Sequence, residues 1–117
     1  MTQFENFQVL NPLPQSRVKE LRLELRAGSP KAARELLSHS LRVGHRRLSL
    51  RRYLVAYALG VERLDEHLAF LRAITKKMKN SDIRQIVADV ASKLNRPDNF
   101  FDTIQPLLLH EEGRDRE

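Results

Sequence analysis

The sequence predicts an all-α fold: a compact bundle of four to five helices preceded by an extended apolar N-terminal arm. Three observations carry that prediction. Apolar residues recur at three- and four-residue steps through most of the chain, the period of a helix with one buried face. Only four glycines and five prolines punctuate 117 residues, and most of them stand where a periodic run ends. With 41% apolar and 31% charged residues, a chain of this length closes one small core. The reading is a single helical domain over residues 16–109, between an arm at 1–15 and a charged, frayed tail at 110–117.

In the arm, Phe4, Phe7, Val9, Leu10 and Leu13 are apolar anchors, and Pro12 and Pro14 force an extended exit. The anchors suit either an arm folded over its own bundle or a strap across a partner subunit. Ser16 is placed to cap the first helix, which carries Val18, Leu21 and Leu25 on one stripe to Ala27, where Gly28 supplies a left-handed C-terminal cap. Ser29-Pro30 starts the second helix, serine capping and proline occupying a position whose N–H has no partner in any case. That helix ends near Val43-Gly44. The third runs from Ser49, its expected cap, to Leu59 with Leu50, Tyr53, Leu54 and Tyr57, and Gly60 ends or kinks it.

The fourth helix has the clearest period, with Val61, Leu64, Leu68, Leu71 and Met78 on alternating three- and four-residue steps and Thr75 the one polar member. This seam either packs inside the domain or joins two copies, so Val61, Leu64, Leu68 and Leu71 are the candidate contacts of a homodimer. Asn80-Ser81-Asp82 breaks and caps the chain before a fifth helix that aligns Ile83, Ile86, Val87, Val90 and Leu94. Asn95-Arg96-Pro97 stops it. Residues 98–104 are expected to form a short helix with Phe100 and Phe101 inward, and Pro106 to end it before Leu107.

The chain has no cysteine, which excludes disulfide scaffolds, zinc knuckles and thiol chemistry and fits a reducing compartment. No apolar run approaches the roughly 20 residues of a membrane helix, and residues 1–14 lack the pattern of a secretory signal, so no membrane association is expected and a cytoplasmic location is. Catalytic signatures are missing too. Glu62, Asp65 and Glu66 beside His67 fit the dipole of a helix start. His39, His45, His67 and His110 lack the spacing of metal ligands and are expected at the surface. Consecutive Ser38, His39 and Ser40 point around a helix, and no nucleophile elbow, phosphate loop or dinucleotide fingerprint occurs. The expectation is a non-enzymatic protein with no metal and no cofactor.

Charge is the strongest local signal. Of the net +6, residues 42–52 hold +5 and residues 72–79 hold +4, so the remainder is acidic on balance. One patch spans the turn between the second and third helices; the other closes the fourth, where Lys76, Lys77 and Lys79 complement the dipole. Arginines at a helix start require an anion nearby, and Asp65 or Glu66, an acidic partner protein and a nucleic-acid backbone all qualify. A helix-turn-helix fits poorly around Gly44, where His45 and Ser40 occupy places that favour apolar residues. It fits better over residues 90–104, but there it presents Asp98, Asn99 and Asp102 to phosphate, which marks a structural pair. Arg46-Arg47-Leu48-Ser49 resembles a basophilic kinase site, although Ser49 is expected to serve as a cap.

These features point to a small regulatory protein that binds another protein, an adaptor or anti-activator of, for example, a transcription factor, through a helix face bordered by arginines. The candidate contacts are Arg42, Arg46, Arg47, Arg51, Arg52, Tyr53 and Tyr57, since arginine and tyrosine anchor interfaces; Tyr53 and Tyr57 fit a core equally well. The alternative is a nucleic-acid-binding protein that lays the basic turn at 42–52 on the phosphate backbone.

Overall fold

Turn-forming residues set the helix ends. In the computed structural model, which describes residues 13–62, 64–97 and 99–109, the elements are α1 (Gln15–Arg26), α2 (Pro30–Val43), α3 (Arg46–Ala58), α4 (Asp65–Thr75), α5 (Asn80–Lys93) and a 3₁₀ turn at Gln105–Leu107. The fold is all-α, as the periodicity predicts. The Ser29 hydroxyl accepts the Ala32 N–H at 3.1 Å with Pro30 at the head of α2. At the other end Gly44 turns left-handed (φ 78°) and donates its N–H to the Ser40 carbonyl at 3.0 Å. Asn95 reverses the chain after α5 in the same conformation (φ 59°), which its short polar side chain tolerates.

Four boundaries differ from expectation, the first being that of the fourth helix, which spans only Asp65–Thr75, so that Val61 and Leu64 precede it and Met78 follows it. α1 begins at Gln15 behind an extended Pro14, so Ser16 lies inside the first turn and caps nothing. α3 begins at Arg46, a full turn before Ser49, because Gly44 reverses the chain in a single residue and leaves His45 as N-cap; Ser49 is buried in the helix. Residues 99–104 form successive turns in place of a short helix, with Phe100, Asp102 and Ile104 donating to the carbonyls of Pro97, Asn99 and Phe101. Three-residue turns put Phe101 and Ile104 on the same side, and both are buried.

α3 is the central helix. It packs on α2, α4 and α5, while α1 packs on α2 alone among the larger contacts. The main core joins Leu37 and Leu41 of α2, Leu50 and Leu54 of α3, Leu71 of α4, and Ile83, Ile86 and Val90 of α5, and Phe101, Ile104 and Leu108 close its end. A second cluster of Leu21, Ala32 and Leu36 seals α1 to α2. Leu13 packs against it, so the last anchor of the arm lies on its own bundle. Phe4, Phe7, Val9 and Leu10 fall outside the described residues, as does the tail.

The α4 seam is used within the chain. Leu71 is 0% exposed, and Leu64, Thr75 and Met78 are also buried; Val61 and Leu68 are partly buried against the same core. Leu64 and Leu71 therefore have no surface left to offer a second copy, which corrects the dimer-seam assignment for these two residues.

Capping energetics separate the two serines. Ser29→Ala is expected to destabilise the fold by about 1 kcal/mol, lowering Tm by roughly 4 °C, whereas Ser16→Ala leaves Tm unchanged. Thermal unfolding followed by circular dichroism checks both.

Candidate functional site

The sequence of α3 distributes its four arginines around the helix. Arg47 and Arg51 are one turn apart and share a face, while Arg52 follows Arg51 by about 100° and points elsewhere. Both members of the first pair meet acids of α5. Arg47 Nη2 lies 3.2 Å from Asp82 Oδ2, and Arg51 donates to Asp89, which also receives Lys93 Nζ at 3.3 Å. The Arg51 hydrogen bond, followed by Lys93, holds the Asp89 carboxyl below its ordinary range. The acids that answer the arginine-rich helix start are thus Asp82 and Asp89, in place of Asp65 or Glu66.

Between these ion pairs runs an open groove of about 490 Å³, lined by Arg47, Arg51, Gln85, Ile86, Ala88 and Asp89. Its walls carry both signs of charge. Ala88 is exposed on the rim of α5, and Ile86 beneath is buried, so the groove has a narrow apolar floor.

Other predicted contacts lie elsewhere. Arg52 is 8% exposed and donates to the Leu36 carbonyl at 2.9 Å; burial, with Arg22 nearby, draws its pKa down to about 10. Tyr53 is 2% exposed, and burial, with Tyr57 and Asp65 near, pushes its hydroxyl up to about 12. Tyr57 is partly buried against Phe100 and Phe101, at ring separations of 6.4 and 5.9 Å. Both tyrosines belong to the core. Arg42 is partly buried at the end of α2, with its Nε lacking a hydrogen-bond partner among the described residues, and Arg46 is exposed. Arg52 and Tyr53 are corrected from contact residues to interior ones, since neither has surface for a partner. A recognition-helix role for α3 fails on the same ground, because three helices surround it.

His67 is a second correction. Expected at the surface, it is 3% exposed, and its Nε2 lies 3.0 Å from the Ser38 hydroxyl, clasping α4 to α2. Burial, with Arg34 nearby, lowers its pKa to about 4. A general base works best with a pKa near the working pH and with access to substrate. His67 has neither, so the pair is a structural clasp. His39 is partly buried and accepts the Leu13 N–H on Nδ1 at 3.3 Å; burial first, then Arg52 and Arg42, hold its pKa low. His45 is exposed, and His110 lies outside the described residues.

Sequence reasoning missed Asp82, Gln85, Ala88 and Asp89. The signal was present in part, since Asp82 and Asp89 are seven residues apart and share a face of α5. Among the described residues no three His, Asp or Glu side chains are grouped to hold a metal ion, and no helix is long and apolar enough to cross a membrane. Comparison with protein-family models, curated proteins and solved structures finds no match to the chain.

The clasp has a pH signature. An unfolded histidine takes up its proton near pH 6.5, whereas folded His67 resists until about 4. Its stabilisation is therefore complete above pH 6.5 and is lost as pH falls toward 4, on the order of 2 kcal/mol between pH 7 and pH 5. Urea unfolding at these two pH values is expected to show that loss, and His67→Gln to remove most of it.

Proposed function

We propose that this chain is a small non-enzymatic regulatory protein, an adaptor or anti-activator acting in the cytoplasm, that binds a segment of another protein in the groove between α3 and α5. The observation that carries the reading is the pairing of Arg47 and Arg51 with Asp82 and Asp89 along an open groove. A surface with both signs fixed in place selects a partner segment by charge register, and pairing supplies specificity more than affinity. Arg51 answers an acidic side chain, Asp89 and Gln85 a donor, and the strip over Ile86 and Ala88 a small apolar one. Mixed charge also argues against phosphate at this groove, where each acid would repel the backbone. A transcription factor is one partner class consistent with such a role.

Two substitutions test the groove. Ala88→Trp fills it from an exposed helical position, and Arg51→Glu reverses one wall beside Asp89. Affinity capture from the native cell is expected to recover one protein with the parent chain and with Lys19→Glu on α1, and to lose it at least tenfold with either groove variant. Equal recovery by all four eliminates the groove as the binding surface.

A further inference from the structure

The two basic segments, remote in sequence, meet in space. The Arg47–Asp82 ion pair sets the first turn of α3 beside the first turn of α5. Lys79 is the residue before α5, and Lys76 and Lys77 form the turn leading to it. Arg46, Arg47, Lys76, Lys77 and Lys79 are all exposed, so five cations from two turns crowd one end of the bundle. The acid facing them from these two turns is Asp82, already engaged by Arg47. Cations at a helix start are unfavourable on their own, and here the starts of α3 and α5 lie side by side with no side-chain cap on either. Folding leaves that repulsion in place; a bound anion relieves it.

From this convergence we propose that the α3–α5 end of the bundle binds the phosphate backbone of nucleic acid, independently of base sequence. Phosphate is favoured over an acidic protein segment by what the surface lacks. Met78, between the lysines, is turned into the core, so the outer side of that turn is cationic with no apolar anchor. Protein interfaces draw their energy from apolar and aromatic anchors, whereas backbone binding needs only cations and free N–H donors. The surface differs from the arginine turn read in the sequence: Arg42, Arg51 and Arg52 drop out, and Lys76, Lys77 and Lys79 take their place.

Fluorescence anisotropy with a labelled mixed-sequence DNA duplex of about 20 base pairs, titrated across a salt series, tests the proposal. About five neutralised phosphates give a slope of log K against log salt near −4.5. Changing Lys76, Lys77 and Lys79 together to Gln is expected to weaken low-salt binding at least tenfold and to flatten the slope to about −2. A control that removes the same three charges elsewhere, Lys19→Gln with Arg26→Gln and Lys31→Gln, keeps the parent slope. The proposal is overturned by absence of binding at low salt, by equal losses in the two triple variants, or by displacement of the duplex by polyglutamate at matched charge. The last result assigns the patch to an acidic polypeptide. None of these outcomes touches the groove, whose variants lie at Ala88 and Arg51.

Discussion

A helix that carries four arginines can occupy the centre of a bundle only if each charge is led to water or answered where it stands. α3 meets that constraint by three routes. Arg46 stays in solvent, Arg47 and Arg51 reach acids on α5, and Arg52 turns inward to a backbone carbonyl of α2. The last is the most demanding. A guanidinium 8% exposed gives up hydration, and the carbonyl of Leu36 returns one charge-assisted hydrogen bond on its second lone pair. The depression of its pKa to about 10 expresses the imbalance. Removal of Arg52 alone opens a hole at the α2–α3 contact, so this charge is tied to the packing that surrounds it.

The remaining architecture follows from placing α3 there. With Arg52 facing α2 and Arg47 and Arg51 facing α5, the rotation of α3 about its axis is fixed, and Leu50, Tyr53 and Leu54 fall into the core. α4 then covers a further side, and its own stripe is consumed doing so, which is why Leu64 and Leu71 are interior. His67 belongs to the same economy. Sitting on the α4 stripe between Leu64 and Leu71, it must go inside, and the Ser38 hydroxyl on α2 gives it a hydrogen bond that helps a neutral imidazole remain there.

Local signals were legible where a single residue decides the chemistry. Ser29-Pro30 starts a helix in any context, Gly44 closes one, and Asn95 tolerates a left-handed turn, and all three do so here. Ser49 shows where local reading stops. It has the composition of a cap, yet the tight reversal at Gly44 leaves helix geometry available one turn earlier, and the extra turn brings Arg47 within reach of Asp82. A capping hydroxyl contributes about 1 kcal/mol, less than another turn of packed helix. The groove was less legible still. Its cations were visible as a run, but which of them face α5 depends on the rotation of α3, and that rotation is a tertiary property.

The same logic accounts for where the net charge of +6 resides. On α1, Arg17 is surrounded by Glu20, Glu24 and Glu35 at 3.0 to 3.5 Å, while the exposed Lys19, Arg22, Arg26 and Lys31 spread further positive charge over the outer faces of the first two helices. The side of α3 that faces α5 is answered by Asp82 and Asp89. The turns before α3 and α5 add Arg46 and three exposed lysines. Exposed ion pairs contribute little to stability, about 1 kcal/mol or less each, so the pairing along the groove is not needed to hold the bundle together. Its effect is to sort charge: a mixed-sign wall beside α5 and, next to it, an end where cations outnumber acids. A chain with the same composition and diffuse charge would fold as well, and would present neither surface.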